Sequence, residues 1–306
     1  MQRSPILGTR GSPLALVQAH KVASALEVAN RWTADYVQIH VVETTGDKIQ
    51  DRPLAEIGGK QLWTKELDRA LMEHEVDFCV HSLKDVEAIR PREINIAAVR
   101  PRGDVQDRLI GAESIEALPE GAVVGTSSPR RKAQLLSIRP DLKVVPLRGN
   151  VQTRLAKLKA GEVHATLLAG AGLRRLGMGN VGTPIPFDQM LPAPTQAVIA
   201  IECRSSDTVI QSVLTVVDDP TTHALIRAER AFTAALGASC HSPVAAYAEI
   251  EGGKVRLRVQ LLSEDGGDQV RDDAVFDCGD HRTPEQLAHA MLEKAPDTIR
   301  SLFRAG

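Results

Sequence analysis

Short apolar runs alternate with helical stripes along the first hundred residues. Ile6–Thr9 reads as a short strand. Ser12 then stands as a cap with Pro13 at the first helical position, and the predicted helix runs to about Val28. Val37–Thr44 is β-branched and strand-like. Trp63, Leu67 and Leu71 share one helical face. Glu75–Ser82 reads as helix end, then strand, then loop, and Ile94–Val99 as another strand.

A second series begins near Ala122. VVGTSSP predicts strand and turn, with Ser128 as cap and Pro129 at the first helical position. Lys143–Pro146 reads as a strand. Asn150 caps a helix through Lys159, which Gly161 closes. His164–Leu168 is a strand entering a glycine-rich turn at Gly170–Gly172. Such alternation implies an α/β fold with some parallel pairing. LGTRGSP matches VGTSSP apart from one inserted residue, and HEVDFCVHS echoes GEVHATLLAG in the same order. Either the chain holds two lobes of similar topology with equivalent loops facing one cleft, or short strand–turn–helix units merely look alike.

Residues 180–195 are rich in Pro and Gly and read as a crossing segment, after which Ala197–Glu202 is strand-like. Thr221–Leu236 is a helix with Leu225 and Phe232 inward. Tyr247–Ile250 and Lys254–Leu262 alternate like a hairpin turning at Glu251-Gly252-Gly253. Pro284–Phe303 is helical with an interruption near Pro296. This last part reads as a small α+β domain.

Composition narrows the function classes. With 43% hydrophobic and 25% charged residues the 306-residue chain is ordinary globular material, expected to form two or three domains. A net charge of −2 and 3% aromatics argue against a dedicated nucleic-acid binder. No signal peptide or membrane-spanning stretch is read, so a membrane partner is not expected. Cys79, Cys203, Cys240 and Cys278 form no CxxC pair, which excludes the usual metal spacings and fits a reducing, cytoplasmic compartment.

Candidate chemistry gathers at helix starts. Arg10 lies in GTRGSP, Arg130 and Arg131 follow GTSSP, and Arg148 and Arg154 bound RGNVQTR. Helix N-termini offer unpaired N–H groups, and arginine beside them makes a carboxylate or phosphate site. The P-loop pattern is absent. HSLKDV places His81, Lys84 and Asp85 just past an apolar strand. Asp85 is either a turn former or a carboxylate for proton transfer and cation stabilisation, and His81 is a candidate structural hydrogen-bonder. Cys240, in GASCHSP, is either an accessible thiol with a special role or an incidental loop residue. Cys79 reads as a buried small hydrophobe.

Taken in order, RGSPLALVQAH, TTGDKIQDRPLAEIGGK, TKELDRAL, VHSLKDV, VGTSSPRR, LRGNVQTRL, LAGAGLRRLG, IECR and GASCHSPV resemble the porphobilinogen deaminase (hydroxymethylbilane synthase) family. The resemblance implies two lobes like those of periplasmic binding proteins plus a small α+β C-terminal domain. It assigns 1–99 with 197–216 to the first lobe, 100–196 to the second, and 217–306 to the domain bearing the cofactor cysteine. It implies a dipyrromethane cofactor bound covalently through Cys240. Four porphobilinogen molecules are then condensed head to tail with loss of ammonia, and hydroxymethylbilane is released. Asp85 matches the catalytic aspartate. Lys84, Ser128, Arg131, Arg148 and Gln196 match cofactor-binding positions. Arg10, Ser12, Lys60, Arg130, Arg154 and Arg175 match substrate-binding positions, where arginines would read the acetate and propionate of each pyrrole. No metal or nucleotide is implied, and a monomer is expected.

Three departures stand out. GGKQLW carries Gln61 and Trp63 where the family commonly has Gly and Phe. Glu87 stands where VHSLKDV is usually followed by Pro. Thr195-Gln196-Ala197 replaces Gly-Gln-Gly, which removes backbone freedom. Two competing readings are a non-catalytic two-lobed binding protein for a small polyanion and a low-turnover paralogue.

Overall fold

The computed structural model describes residues 3–43, 64–239 and 241–303. Two compact units emerge. The first is drawn from Met1–Arg52, Ile57–Gly103 and Ala197–His223, the second mainly from Asp104–Gln196 and Ala224–Gly306.

In the first unit, β1 (Ile6–Arg10), β2 (Gln38–Val42), β3 (Phe78–Ser82), β4 (Ile94–Val99) and β10 (Ile199–Arg204) make one sheet in the order β2-β1-β3-β10-β4. β1 is parallel to β2 and β3, whereas β10 runs antiparallel to β3 and β4. Side chains alternate across a strand. Phe78 and Val80 therefore pack with Ala19, Val22 and Leu26 of α1 (Pro13–Ala29), while Cys79 packs with Leu67, Ala70 and Leu71 of α2 (Lys65–Met72). Helices thus cover both faces, which is why β3 and β10 are buried along nearly their whole length. Ser12 caps α1 by accepting from the Ala15 N–H at 3.3 Å, with Pro13 next. Asn30 ends the helix by donating to the Leu26 carbonyl at 2.9 Å.

The second unit contains β5 (Asp107–Ile110), β6 (Val123–Gly125), β7 (Lys143–Val145), β8 (Ala165–Ala169) and β9 (Thr183–Pro184), ordered β7-β6-β8-β5-β9. β6 is parallel to β7 and β8, and β5 is antiparallel to β8 and β9. This pattern repeats the first sheet strand for strand. The echoes between LGTRGSP and VGTSSP and between HEVDFCVHS and GEVHATLLAG fall on equivalent strands, β1 with β6 and β3 with β8. They mark two like topologies rather than chance.

The unit also holds α3 (Pro129–Ile138), α4 (Val151–Lys159) and α5 (Gly170–Arg175). Gly170–Gly172, read from sequence as a turn, is the first part of α5. A Cβ at residue 170 would come within 2.6 Å of Asp104 Oδ2, so the glycine answers a close approach rather than a bend.

A three-stranded antiparallel sheet follows: β11 (Val244–Glu251), β12 (Lys254–Leu262) and β13 (Gln269–Phe276). Phe232 and Leu236 from α7 (Pro220–Ala235) and its end, with Met291 and Leu292 of α8 (Arg282–Lys294), close its core with Leu257 and Leu261. The β11–β12 turn places Gly252 at φ 58° and Gly253 at φ 81°, as a two-residue hairpin connection demands. β5, β13 and the helix α6 (Thr208–Thr215) were not anticipated from the sequence. Among the described residues no helix is long and apolar enough to cross a membrane, and no group of three or more His, Cys, Asp or Glu is arranged to hold a metal.

Candidate active site

In the first unit, β1 and β3 are parallel neighbours, so their carboxyl ends share one sheet edge, where ligands of open α/β sheets bind. Arg10 closes β1 and Ser12 caps α1 just beyond it. Lys84 and Asp85 lie in the 3-10 turn Leu83–Asp85 directly after β3. Arg10, Ser12, Lys84 and Asp85 are all half-buried. The buried Gln18 of α1 donates to Ser82 Oγ at 2.9 Å, tying the cap helix to the end of β3. His81 is buried and its Nε2 lies 3.0 Å from Glu202 Oε2 on β10.

In the second unit, β6, β7 and β8 are parallel neighbours, and the predicted residues follow their ends. Ser128 caps α3 by accepting from the Arg131 N–H at 3.4 Å. The neighbouring Ser127 hydroxyl donates to the Leu147 carbonyl at 3.1 Å, which brings the Arg148 loop alongside. Arg154 Nε donates to the Gly149 carbonyl at 2.9 Å, beside the N-terminus of α4 that Asn150 caps. Arg175 ends α5 after β8. Burial pushes its guanidinium down to about 10, the mark of a cation withdrawn from water.

Arg130 and Arg131 differ from the sequence picture of forks aimed at a ligand. Both are buried, and both turn terminal nitrogens onto Asp107. Arg130 Nη2 reaches Asp107 Oδ2 at 2.7 Å, and its Nη1 reaches Gln134 Oε1 and the Leu191 carbonyl, each at 2.9 Å. Arg131 Nη2 reaches Asp107 Oδ1 at 2.7 Å, with Nη1 on the Leu167 carbonyl at 2.9 Å. Burial alone would raise the Asp107 carboxyl, but the two guanidiniums outweigh it and hold it well below the ordinary carboxylate range. Each arginine keeps one buried nitrogen, Nε, without a hydrogen-bond partner among the described residues.

Gln196 completes the cluster. It is fully buried and its Nε2 donates to Asp107 Oδ1 at 2.9 Å and to the Val105 carbonyl at 2.7 Å. Its neighbours Thr195 and Ala197 hold φ of 58° and 73°, in the left-handed region that favours glycine. Glu229 fixes this stretch. Its carboxylate accepts from the Thr195 N–H at 2.5 Å and the Ala248 N–H at 2.7 Å.

Lys60 and Cys240, and the substituted Gln61 and Trp63, lie outside the described residues. Of the other thiols, Cys79 is buried and held well above its usual range by burial, Cys203 is pushed up to about 12 by burial, and Cys278 is exposed. Sequence reasoning missed Asp107 because nothing local marks it. Its importance comes from two arginines more than twenty residues away. Glu202 and Arg90 were missed for the same reason.

A family model described as "Porphobilinogen deaminase, dipyromethane cofactor binding domain" matches residues 6–212, and "Porphobilinogen deaminase, C-terminal domain" matches residues 223–295. Porphobilinogen deaminase from Sphingopyxis alaskensis is 49% identical over 304 residues, covering 97% of this chain and 96% of the relative. The enzyme of that name from Paracoccus denitrificans is 47% identical and covers 96% of each. A chloroplastic porphobilinogen deaminase from Oryza sativa is 47% identical over 85% of this chain and 74% of its own. Identity at this level along nearly the whole chain, with both family domains in order, places this protein in the porphobilinogen deaminase family.

Proposed function

We propose that this chain is a hydroxymethylbilane synthase. It condenses four porphobilinogen molecules head to tail, with loss of ammonia, onto a covalent dipyrromethane and releases hydroxymethylbilane. The observation that carries this reading is the match of the cofactor-binding domain over 6–212, in which Lys84 and Asp85 stand at the sheet edge shared with Arg10 and Ser12.

The residues present fit a carboxylate-bearing cofactor. Arg130 and Arg131 each retain an unpartnered buried Nε beside the helix N-terminus that Ser128 caps. Lys84, Ser128, Arg131, Arg148 and Gln196 would hold the group, and Cys240 would carry its thioether. When bound, it supplies the nucleophilic pyrrole carbon to which substrate is joined. Arg10, Ser12, Lys60, Arg130, Arg154 and Arg175 would orient the acetate and propionate of incoming porphobilinogen. Asp85, a half-buried carboxylate in the turn after β3, stabilises positive charge at a pyrrole N–H and moves the proton lost there. In this reading 1–99 with 197–216 and 100–196 act as the two lobes, and 217–306 carries the attachment cysteine. The enzyme acts as a monomer in the cytoplasm, with neither nucleic acid nor membrane as partner.

Intact-mass measurement tests the assignment directly. Purified protein should be heavier than the bare chain by the cofactor, Cys240→Ser should weigh the bare chain, and the loaded protein should consume porphobilinogen with release of ammonia. A bare mass that persists after incubation with porphobilinogen would show a binding protein instead. A loaded protein without ammonia release would be a non-catalytic relative.

A further inference from the structure

In the backbone of the turn that carries Asp85, the Leu83 N–H donates to the Val198 carbonyl and the Val86 N–H to the Leu83 carbonyl, each at 3.0 Å. Further restraint lies on either side.

Two residues beyond Asp85, Glu87 Oε2 accepts from Arg90 Nη1 at 3.1 Å and from the Thr64 hydroxyl at 3.3 Å. Arg90 engages all three of its guanidinium nitrogens. Nε and Nη2 reach Glu202 Oε1 and Oε2 at 2.9 and 3.0 Å, and Nη1 and Nη2 reach Asp68 Oδ2 and Oδ1 at 3.0 and 2.5 Å. One planar cation therefore joins β10, α2 and the segment after the turn. Four residues before Asp85, His81 meets the same Glu202. The turn is thus bracketed by two side chains, His81 before it and Glu87 after it, that both lead to Glu202, Glu87 by way of Arg90.

We infer that Glu87 and Arg90 form a clasp that positions Asp85 for catalysis, an inference resting on the assignment of Asp85 above. This chain restrains the backbone after the turn through a side chain bonded to a buried cation. Proton transfer and charge stabilisation demand placement to within a fraction of an ångström, and a turn of three residues does not supply that alone. Within the clasp, Glu87 is the member whose removal separates positioning from folding. Its side chain is 26% exposed, whereas those of Arg90 and Glu202 are 6% and 1% exposed. Removing Glu87 leaves the Arg90–Glu202–Asp68 centre intact, and pairs at a partly exposed rim add little global stability.

The test is Glu87→Ala in protein loaded with cofactor as purified. Its kcat should fall about tenfold with KM within about twofold of wild type, as expected when a reacting group is misplaced while substrate binding stays intact. Amide hydrogen exchange over Leu83–Glu87 should accelerate about tenfold, with α1 and β4 unchanged. Glu87→Gln, which keeps an acceptor for Arg90 and Thr64, should recover part of both. Wild-type kcat, or a drop in kcat with unaltered exchange over the turn, overturns the clasp. If the wild-type enzyme itself consumes no porphobilinogen, the functional assignment fails. The exchange measurement then decides the clasp alone, with unaltered exchange refuting it.

Discussion

Asp107 Oδ1 stands 2.7 Å from Arg131 Nη2, with both side chains buried. This bond, and its twin to Arg130, determine how α3 presents its N-terminus. Breaking a buried pair from one side leaves an uncompensated charge and costs about 3–5 kcal/mol. Asp107→Asn should lower unfolding free energy by roughly that amount in urea titrations, and purified protein should lack the cofactor mass. A cofactor-loaded variant of wild-type stability would show that the two arginines do not depend on this carboxylate.

The same carboxylate sets a pH dependence. The folded protein holds Asp107 deprotonated far more firmly than the unfolded chain, where an aspartate titrates near about 3.9. A depressed carboxyl contributes stability that is complete above that unfolded value and is lost as pH falls from there toward the folded value. Glu202, also lowered despite its burial, adds a dependence of the same sign. Urea midpoints should therefore drop steeply below about pH 4 in wild type and less steeply in Asp107→Asn. Equal slopes would assign acid sensitivity to other carboxylates.

Asp85 should matter for chemistry more than for holding the cofactor. Removing a carboxylate that stabilises a transient cation lowers kcat with a smaller effect on binding. Asp85→Asn, loaded with cofactor beforehand, should release ammonia in a single turnover at least about a hundredfold more slowly, a typical loss for such a group. Asp85→Glu keeps the charge one methylene away and should retain more activity than Asn. Adduct formation by Asp85→Asn at the wild-type rate would reduce Asp85 to a turn residue.

Thr195 and Ala197 occupy left-handed backbone that costs a non-glycine residue about 1–2 kcal/mol. Glycine there would offset about 0.4–1 kcal/mol of the relief through the greater freedom of the unfolded chain. The strain term is larger, so Thr195→Gly and Ala197→Gly should each stabilise the protein by up to about 1 kcal/mol. Urea denaturation measures this. A destabilised Thr195→Gly would mean that packing of its buried side chain outweighs the strain.

Much of the site was legible because its signals are local. Ser12-Pro13 and Ser128-Pro129 each announce a capped helix within two residues, and the caps form as read. Asn150 and Gly161 bracket α4 in the same way. The repeat of strand–turn–helix units was visible because equivalent strands keep similar apolar runs. What escaped depends on distant partners. β5 is four residues beginning Asp-Arg and is a strand only because β8 and β9 flank it. β13 reads QVRDDAVF, with every second residue exposed, and takes its conformation from pairing with β12. Likewise Glu202 looks like a misplaced charge inside IAIECR until Arg90 and His81 are set beside it.

The place of β10 in the first sheet governs the order of assembly on the ribosome. It lies between β3 and β4, yet about a hundred residues of the second unit are synthesised before it appears. The second sheet is contiguous, from Asp107 to Pro184, and can close as soon as it emerges. The first must wait, with the facing edges of β3 and β4 open, until Ile199–Arg204 is released. Of the two five-stranded sheets, the one begun first is therefore the one completed second. Its two open strand edges are the surface most exposed to mispairing in the interval.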